Sequence, residues 1–524
     1  MRLAPRSIGW LALLAIGFAL PAAAQIPPQQ DPLARMRAEA QANPQSCSAT
    51  GESLCEQAAP KIISNALGAS PLGENLRRLT DEIGGRVTGS PAAVRAVAWG
   101  IAAFRDAGLD AHTEKYTIPL TWAEGASRLD VLSPAAFPVH LVSVGWSPAT
   151  PSGGLEANVV FAGEGKPEDF ARLGASAKGA ILLVHSEVLQ TWEDLFEEYE
   201  KAPGVIARAV DAGAIAILWM STRERMLLYR HQNSLTGHLD RLPQAILARE
   251  DALRLERFLA AGQNVRVRLD LPNRIGGPAE QENVIAEIRG REKPDEWVLL
   301  GAHLDSWELG TGALDNGCNA ALVIEAARDI LLSGLRPRRS IRFALFTGEE
   351  QGMLGSWAYV QAHRAELDRT RAAIVFDEGI GRVTGYSLGG RHDIEAGVRE
   401  ALQPLESWGV TQHTFDAPMG TDNFDFLLEG IPNLIANQEE ANYIPNYHAY
   451  SDTLDKVDMR ELKLQVAIAA VTAFGIAERA APLGVRQSRA EVEALLKQSG
   501  LEEQMKAAGL WQLWETGERG HSRD

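Results

Sequence analysis

Cysteine is scarce in this chain, clusters of Lys and Arg are missing, and no long hydrophobic run occurs beyond the extreme N-terminus. Each absence removes a class of function. Lys and Arg number 51 against 68 Asp and Glu, a formal net charge of −17, and nowhere do the basic residues gather densely enough to follow a phosphate backbone. No nucleic-acid partner is expected. A membrane-spanning helix needs about 20 consecutive apolar residues, and no stretch after the N-terminus supplies them. Internal repeats and low-complexity tracts are absent too. What is present is an ordinary globular composition, 45% hydrophobic and 23% charged, in a chain of 524 residues. That length calls for about two or three domains.

Met1–Ala24 reads as a processing segment. Arg2 and Arg6 precede the apolar Ile8–Leu20, and Ala22-Ala23-Ala24 forms a small-residue cleavage site before Gln25. No Cys sits there to carry a lipid. The expectation is an exported protein, periplasmic or secreted, with no membrane attachment after cleavage. Of the three cysteines, Cys47 and Cys55 flank the polar S-A-T-G-E-S-L and are expected to pair in an oxidising compartment. Cys318 is left over and is read as a small packed residue.

Residues 25–60, rich in Pro, Gln, Ala and Ser, form an N-terminal arm stapled by that disulfide. Helical patterns at Lys61–Leu67, Glu74–Ile83 and Ala92–Ala107 and a strand at Ala111–Ile118 begin a catalytic lobe (61–121, resumed at 275–481). Between them, 122–274 changes texture to short strands at Asn158–Ala162, Ala180–Val184 and Ala214–Met220, with a helix at Val205–Ala212. Its histidines, His140, His185, His231 and His238, are scattered, and each is read as a surface or hydrogen-bonded residue. From Glu282 strands and helices alternate: Asn283–Ile288, Trp297–Ala302, Ala320–Leu332, Ile341–Phe346, Trp357–His363, Ala372–Phe376. A further strand at Ile431–Ala436 and a closing helix at Leu462–Glu478 follow. The fold class expected is α/β, a mostly parallel mixed sheet covered by helices on both faces. An amphipathic helical tail (482–524), holding Trp511 and Trp514, is expected to pack on the lobe.

Chemistry concentrates between Trp297 and Glu350. Two apolar strands end in metal-capable side chains, His303 with Asp305 and Glu349 with Glu350, and Asp315 opens the helical segment between them. Ligands gather outside the carboxyl ends of strands in open α/β sheets. Asp377 follows another apolar strand, and His448 lies in a loop after the last. Imidazole mixed with carboxylate suits Zn²⁺ with open positions for hydrolysis. Two His and three carboxylates are too many for one tetrahedral ion and match two ions sharing a carboxylate, which in such sites lie about 3.5–4 Å apart. Asp305, two residues beyond His303, is placed to orient its ring. Of the adjacent Glu349 and Glu350, one can bind metal while the other acts as general base.

The motifs G-A-H-L-D-S, A-L-D-N-G, F-T-G-E-E-Q-G, V-F-D-E-G and Y-H-A-Y-S-D-T resemble metallopeptidase family 28, the aminopeptidase S and carboxypeptidase Q group, over about Leu67 to Ala481. H-L-D-S-W, L-R-P-R-R-S and G-T-D are most similar to its carboxypeptidase Q branch. The resemblance implies a zinc-exopeptidase lobe. One zinc would be held by His303, Asp315 and Asp377, the other by Asp315, Glu350 and His448. Glu349 would be the general base, Asp305 the orienting carboxylate, and Tyr447 the phenol that steadies the oxyanion. Cys318 departs from the small residue, often Gly, expected near it. The run G-V-I-A-R-A-V-D-A-G-A-I-A-I-L-W-M resembles the protease-associated domain found inserted in secreted peptidases. The implied activity is hydrolysis of short peptides or dipeptides, with an aminopeptidase acting on longer peptides as the alternative. A single-zinc glutaminyl cyclase and a metal-free binding protein share the fold. Arg382 and Arg391 are candidates to hold a substrate carboxylate, and Asp422, Glu439 and Glu440 to hold an ammonium. Homodimerisation stays open.

Overall fold

The structure, a computed structural model, describes residues 53–522. The processing segment, most of the N-terminal arm and the Cys47–Cys55 pairing therefore lie outside the described residues. Among the described residues no helix is long and apolar enough to cross a membrane.

The larger unit is built on a sheet of seven strands: β1 (Ala111–Ile118), β2 (Ala279–Ile288), β3 (Lys293–His303), β4 (Arg339–Phe346), β5 (Thr370–Val375), β6 (Val383–Ser387) and β7 (Asn433–Gln438). They lie in the order β1-β2-β4-β3-β5-β7-β6. The central four are parallel, with Val298 opposite Ile341 and Ala372, and Ile374 opposite Leu434. Antiparallel pairings close both ends. The two-residue period of a strand sorts side chains to opposite faces. Val298, Leu300, Ile341, Phe343 and Leu345 point into the main core with helices α1 (Ser53–Ala66), α2 (Pro91–Asp106), α4 (Cys318–Leu332) and α5 (Met459–Glu478), whereas Leu299, Ala344 and Phe346 join Tyr359 and Phe426 on the other face. Helices cover both faces, as a parallel sheet requires. Helix α2 starts where Ser90 accepts the Ala93 amide and Pro91 occupies the first turn, and α5 where Asp458 accepts the Arg460 amide.

Residues 122–274 leave this unit through a narrow neck, in which Trp122 and Ala123 pair with Ile275 and Arg274. They form a second sheet of eight strands, parallel from Leu155–Phe161 through Ile181–Val184 and Ala216–Met220 to Gln244–Leu247. Its helix α3 (Trp192–Asp211) is capped by Thr191 and Asp194, each side chain bonding the other's amide. The sequence reading found only the last turns of this helix, since Glu-rich turns and Pro203 hide the apolar period of its first half.

The tail is three short helices, Arg489–Gln498, α6 (Leu501–Ala507) and Trp511–Thr516. As expected it packs on the lobe: Met505, Leu510 and Trp514 are buried with Met353 and Phe424. Arg519 holds the end of the described chain. It is buried, pairs with Asp425 at 2.8 Å and donates to the Gly352 carbonyl at 3.1 Å.

Candidate metal centre

The carboxyl ends of the parallel strands deliver the predicted side chains to one place. His303 is the last residue of β3, Glu349 and Glu350 follow β4, and Asp377 follows β5. Asp315 does not open a helix as expected. It lies in an irregular turn with φ −119° and ψ 95°, and regular helix begins at Cys318. The reason is Asp452, unassigned in the sequence reading, whose carboxylate accepts the amides of Ala313, Leu314 and Asp315 at 2.7–3.2 Å and holds them out of helical register. Arg86 supports the same turn from below, donating to the carbonyls of Thr311 and Gly312 at 2.9 Å. Nothing but buried position betrays these two residues, though Asp452 belongs to the quoted Y-S-D-T run.

Asp315 is shared between the two imidazoles. Its Oδ1 lies 3.2 Å from Nε2 of His303 and its Oδ2 3.1 Å from Nε2 of His448. Asp377 Oδ1 is 2.9 Å from the first ring and Glu350 Oε2 3.0 Å from the second. Glu349 Oε2 stands 4.0 Å from His303 Nε2. The five predicted ligands thus face one cleft. Asp305 behaves differently from the expectation in one respect. The Nδ1 of His303 is 3.1 Å from its backbone carbonyl and 3.6 Å from its carboxylate, while the carboxylate accepts the Glu349 amide at 3.3 Å. It therefore ties the His303 strand end to the Glu349 loop.

The His448 loop is held by the inserted unit. Arg230 N–H donates to the His448 carbonyl at 2.8 Å, Tyr450 N–H to Leu228, and Arg223 to the Tyr447 carbonyl at 3.3 Å. The Tyr447 ring stacks on His448 with centroids 3.6 Å apart, and its hydroxyl meets that of Tyr199 from α3 at 2.7 Å. Neither Tyr199 nor the Leu228–Arg230 segment was recognised from sequence, because the partners are more than 200 positions apart. At Gly352 φ is +112° and an added Cβ would lie 2.1 Å from the Leu235 carbonyl, so the E-E-Q-G turn requires glycine there.

The electrostatics are those of a site built around cations. Burial pushes Glu349 well above the usual carboxylate range; His303 opposes this and Asp377, Glu350 and Asp422 add to it. Burial likewise raises Glu350 to about 7 and lifts Asp377 and Asp422. Burial works against the charged form of His303, yet Asp377, Asp305 and Asp315 hold it well above an ordinary imidazole. His448 goes to about 9, where Glu350 and Asp315 overcome its burial. With protons alone the cluster is overcrowded with acid. Glu350 Oε1 and both oxygens of Asp422 are buried without a hydrogen-bond partner. His303 with Glu349 and Asp377, and His303 with Asp315 and Glu350, each offer ligand atoms within 4.8 Å of one another. Mixed imidazole and carboxylate donors, an excess of buried negative charge and unpartnered oxygens fit divalent cations.

Fold and site define a metal-dependent hydrolase. Residues 283–473 match peptidase family M28. A solved M28 peptidase precursor from Shewanella amazonensis is 30% identical, with a TM-score of 0.74 over 83% of this chain and 98% of that one. Carboxypeptidase Q of Mus musculus is 28% identical over 77% of this chain and 85% of its own length, and aminopeptidase YwaD of Bacillus subtilis 28% identical over 74% and 80%. The chain belongs to peptidase family M28.

Proposed function

We propose that the chain is an exported two-zinc exopeptidase that takes short peptides and dipeptides by their free amino end. One observation carries this reading. Among the described residues, the cleft above the cluster is lined by Glu200, Glu349, Glu350, Asp377 and Glu378, and by no Lys or Arg. A terminal carboxylate needs a guanidinium or ammonium partner; a terminal ammonium needs a carboxylate, and in this reading Glu200 and Glu378 are the two of these acids not given to the ions or the water. Arg382 is spent on Glu439 at the surface and Arg391 is buried against Asp393, so neither sequence candidate faces the cleft. Asp422 is fully buried within electrostatic reach of His303 and Asp377 and is not among the side chains that line the cleft. The insert, in this reading a protease-associated domain, supplies Tyr199 and Glu200 to the cleft wall.

His303, Asp315 and Asp377 would hold one zinc, and Asp315, Glu350 and His448 the other. When bound, the pair supplies Lewis acidity at the scissile carbonyl and lowers the pKa of a water. Glu349, brought to its ionised state by the neighbouring dications, takes the proton of the attacking water and returns it to the leaving amine. Tyr447 presents its hydroxyl to the developing oxyanion. Asp305 fixes the His303 ring through its carbonyl and the Glu349 loop through its carboxylate. The acids of the cleft rim hold the substrate ammonium, so that the first peptide bond is the one presented.

Metal content and turnover measured together test this. About two zinc ions per chain and cleavage of Ala-Ala but not of N-acetyl-Ala-Ala are expected. Glu349→Ala should keep both ions and lose at least about a hundredfold in kcat. Cleavage of the acetylated peptide at an equal rate would overturn the amino-end reading. One ion per chain with cyclisation of N-terminal Gln would instead identify a glutaminyl cyclase.

A further inference from the structure

The matched residues 283–473 contain the metal cluster, but two segments outside them wall the cleft. Helix α3 presents Leu195 and Phe196, and the tail presents Gln504, Ala507 and Ala508. The two helices pack on each other. Met353 and Met419 line the cleft beside the tail, Met353 buried in one cluster with Met505 and Met419 packed against it. Phe196 is 44% exposed, a large cost in water for a phenyl ring, because one face looks into the cleft. Its ring edge lies 4.0 Å from where a side chain on Gly420 would begin.

The tail does not hang loosely there. Met505 and Leu510, on either side of Ala507 and Ala508, are buried in the cluster that contains Met353. Arg519 is bonded to the Gly352 carbonyl, two residues beyond Glu350. The wall is thereby registered to the loop that carries the base and a metal ligand. Away from the acids its surface is Leu, Phe, Met and Ala with the polar Gln504, and the two alanines are the small residues among them.

We infer that the C-terminal tail is a specificity wall. Ala507 and Ala508 leave room for an apolar or aromatic side chain on the substrate's N-terminal residue, and bulk at those positions sets the largest side chain accepted. The inference rests on the amino-end reading above.

Ala507 is exposed, so Ala507→Trp is a surface change expected to fold. Gln504→Trp, one turn earlier on the same wall, is the second variant. In the zinc-loaded enzyme, the ratio of kcat/KM for Phe-Ala over Ala-Ala should fall at least about tenfold in each variant, the scale on which a pocket discriminates apolar side chains. Calorimetry of the products should show weaker binding of L-phenylalanine with L-alanine little affected. An unchanged ratio in both variants, with Ala-Ala still cleaved, would overturn the wall. Failure of the wild-type enzyme to cleave either dipeptide would instead sink the amino-end reading, and the inference with it.

Discussion

At the scale of single residues, two side chains of the site separate sharply in what they do. Asp315 is the one carboxylate placed between both imidazoles, with its two oxygens 3.2 and 3.1 Å from His303 and His448. In the proposed two-ion site, removing one charge and one ligand oxygen there would affect both ions, whereas truncating Glu349 would leave both ligand sets whole. Asp315→Asn should therefore bind fewer than one zinc per chain in metal analysis after gel filtration. Retention of two ions would show that the shared carboxylate is elsewhere. Cys318 is the opposite case, a reactive residue type in an inert position. It is fully buried, its thiol faces the Leu314 carbonyl at 3.3 Å, and burial, followed by the charges of Asp452 and Asp315, pushes its ionisation far up. The thiolate is the nucleophile. Alkylation by iodoacetamide at pH 8, followed by mass spectrometry, should be at least about a hundredfold slower in the folded protein than in denaturant. Rapid labelling of the native enzyme would mean that the Asp315 turn opens. The packing reading of Cys318 from sequence rested on the rarity of a lone Cys ligand; the fold supplies the physical reason.

At the scale of elements, α4 carries an acid that has no part in the chemistry. Asp329 is fully buried and neither carboxylate oxygen has a hydrogen-bond partner. Burial, reinforced by Glu325 and opposed by Arg328 and Lys463, raises it from 3.8 to about 8. The sign follows from proton linkage. Between about pH 4 and 8 the folded chain keeps a proton that the unfolded chain has released, so stability falls as pH rises through that window and levels off above it. Asp329→Asn removes this dependence. The variant should be more stable than wild type at pH 8 by on the order of 1 kcal/mol, with the difference shrinking toward pH 5; thermal unfolding at both values reads it out. A constant difference across the window would mean that the carboxyl ionises normally in the fold. Which elements could be read from sequence follows a similar physical line. Elements β3, β4, α2 and α5 were placed to within a few positions, because apolar strands and helices buried on the sheet must carry a clean period; β1 was placed residue for residue although it is half exposed. Strands Arg128–Ser133 and Arg266–Asp270 went unseen, being half exposed and rich in charge. The start of α4 was misplaced because a distant aspartate, not local propensity, decides it.

At the scale of the molecule, the ligands were legible because the chemistry demands particular residue types at strand ends, whereas the cleft was not, because its walls are side chains contributed by the sheet unit, the insert and the tail. The same division predicts what the metal does for the whole chain. His448 is carried on a loop paired with Leu228 and Arg230 of the insert, and Tyr447 is bonded to Tyr199 of α3, while His303, Glu350 and Asp377 stand at or just beyond strand ends and Asp315 in the turn before α4. In the proposed two-ion site the cations would therefore steady the loop on which the insert rests as well as neutralise buried acid. Binding to the native state alone stabilises by about 2.7 kcal/mol when free ligand is 100 times its dissociation constant. Chelation should lower the melting temperature by several degrees and, by loosening the His448 loop, expose the segment before α3 (186–191) to limited proteolysis; zinc should reverse both. Tyr199→Phe in the loaded protein separates the two contributions, since it breaks the hydroxyl link and spares the ligands. It should speed cleavage at that segment while leaving the metal-dependent part of the melting shift intact. If stripping the metal changes neither melting nor cleavage, the ions do not join the two units, and the insert is held on the sheet by its neck and its packing alone.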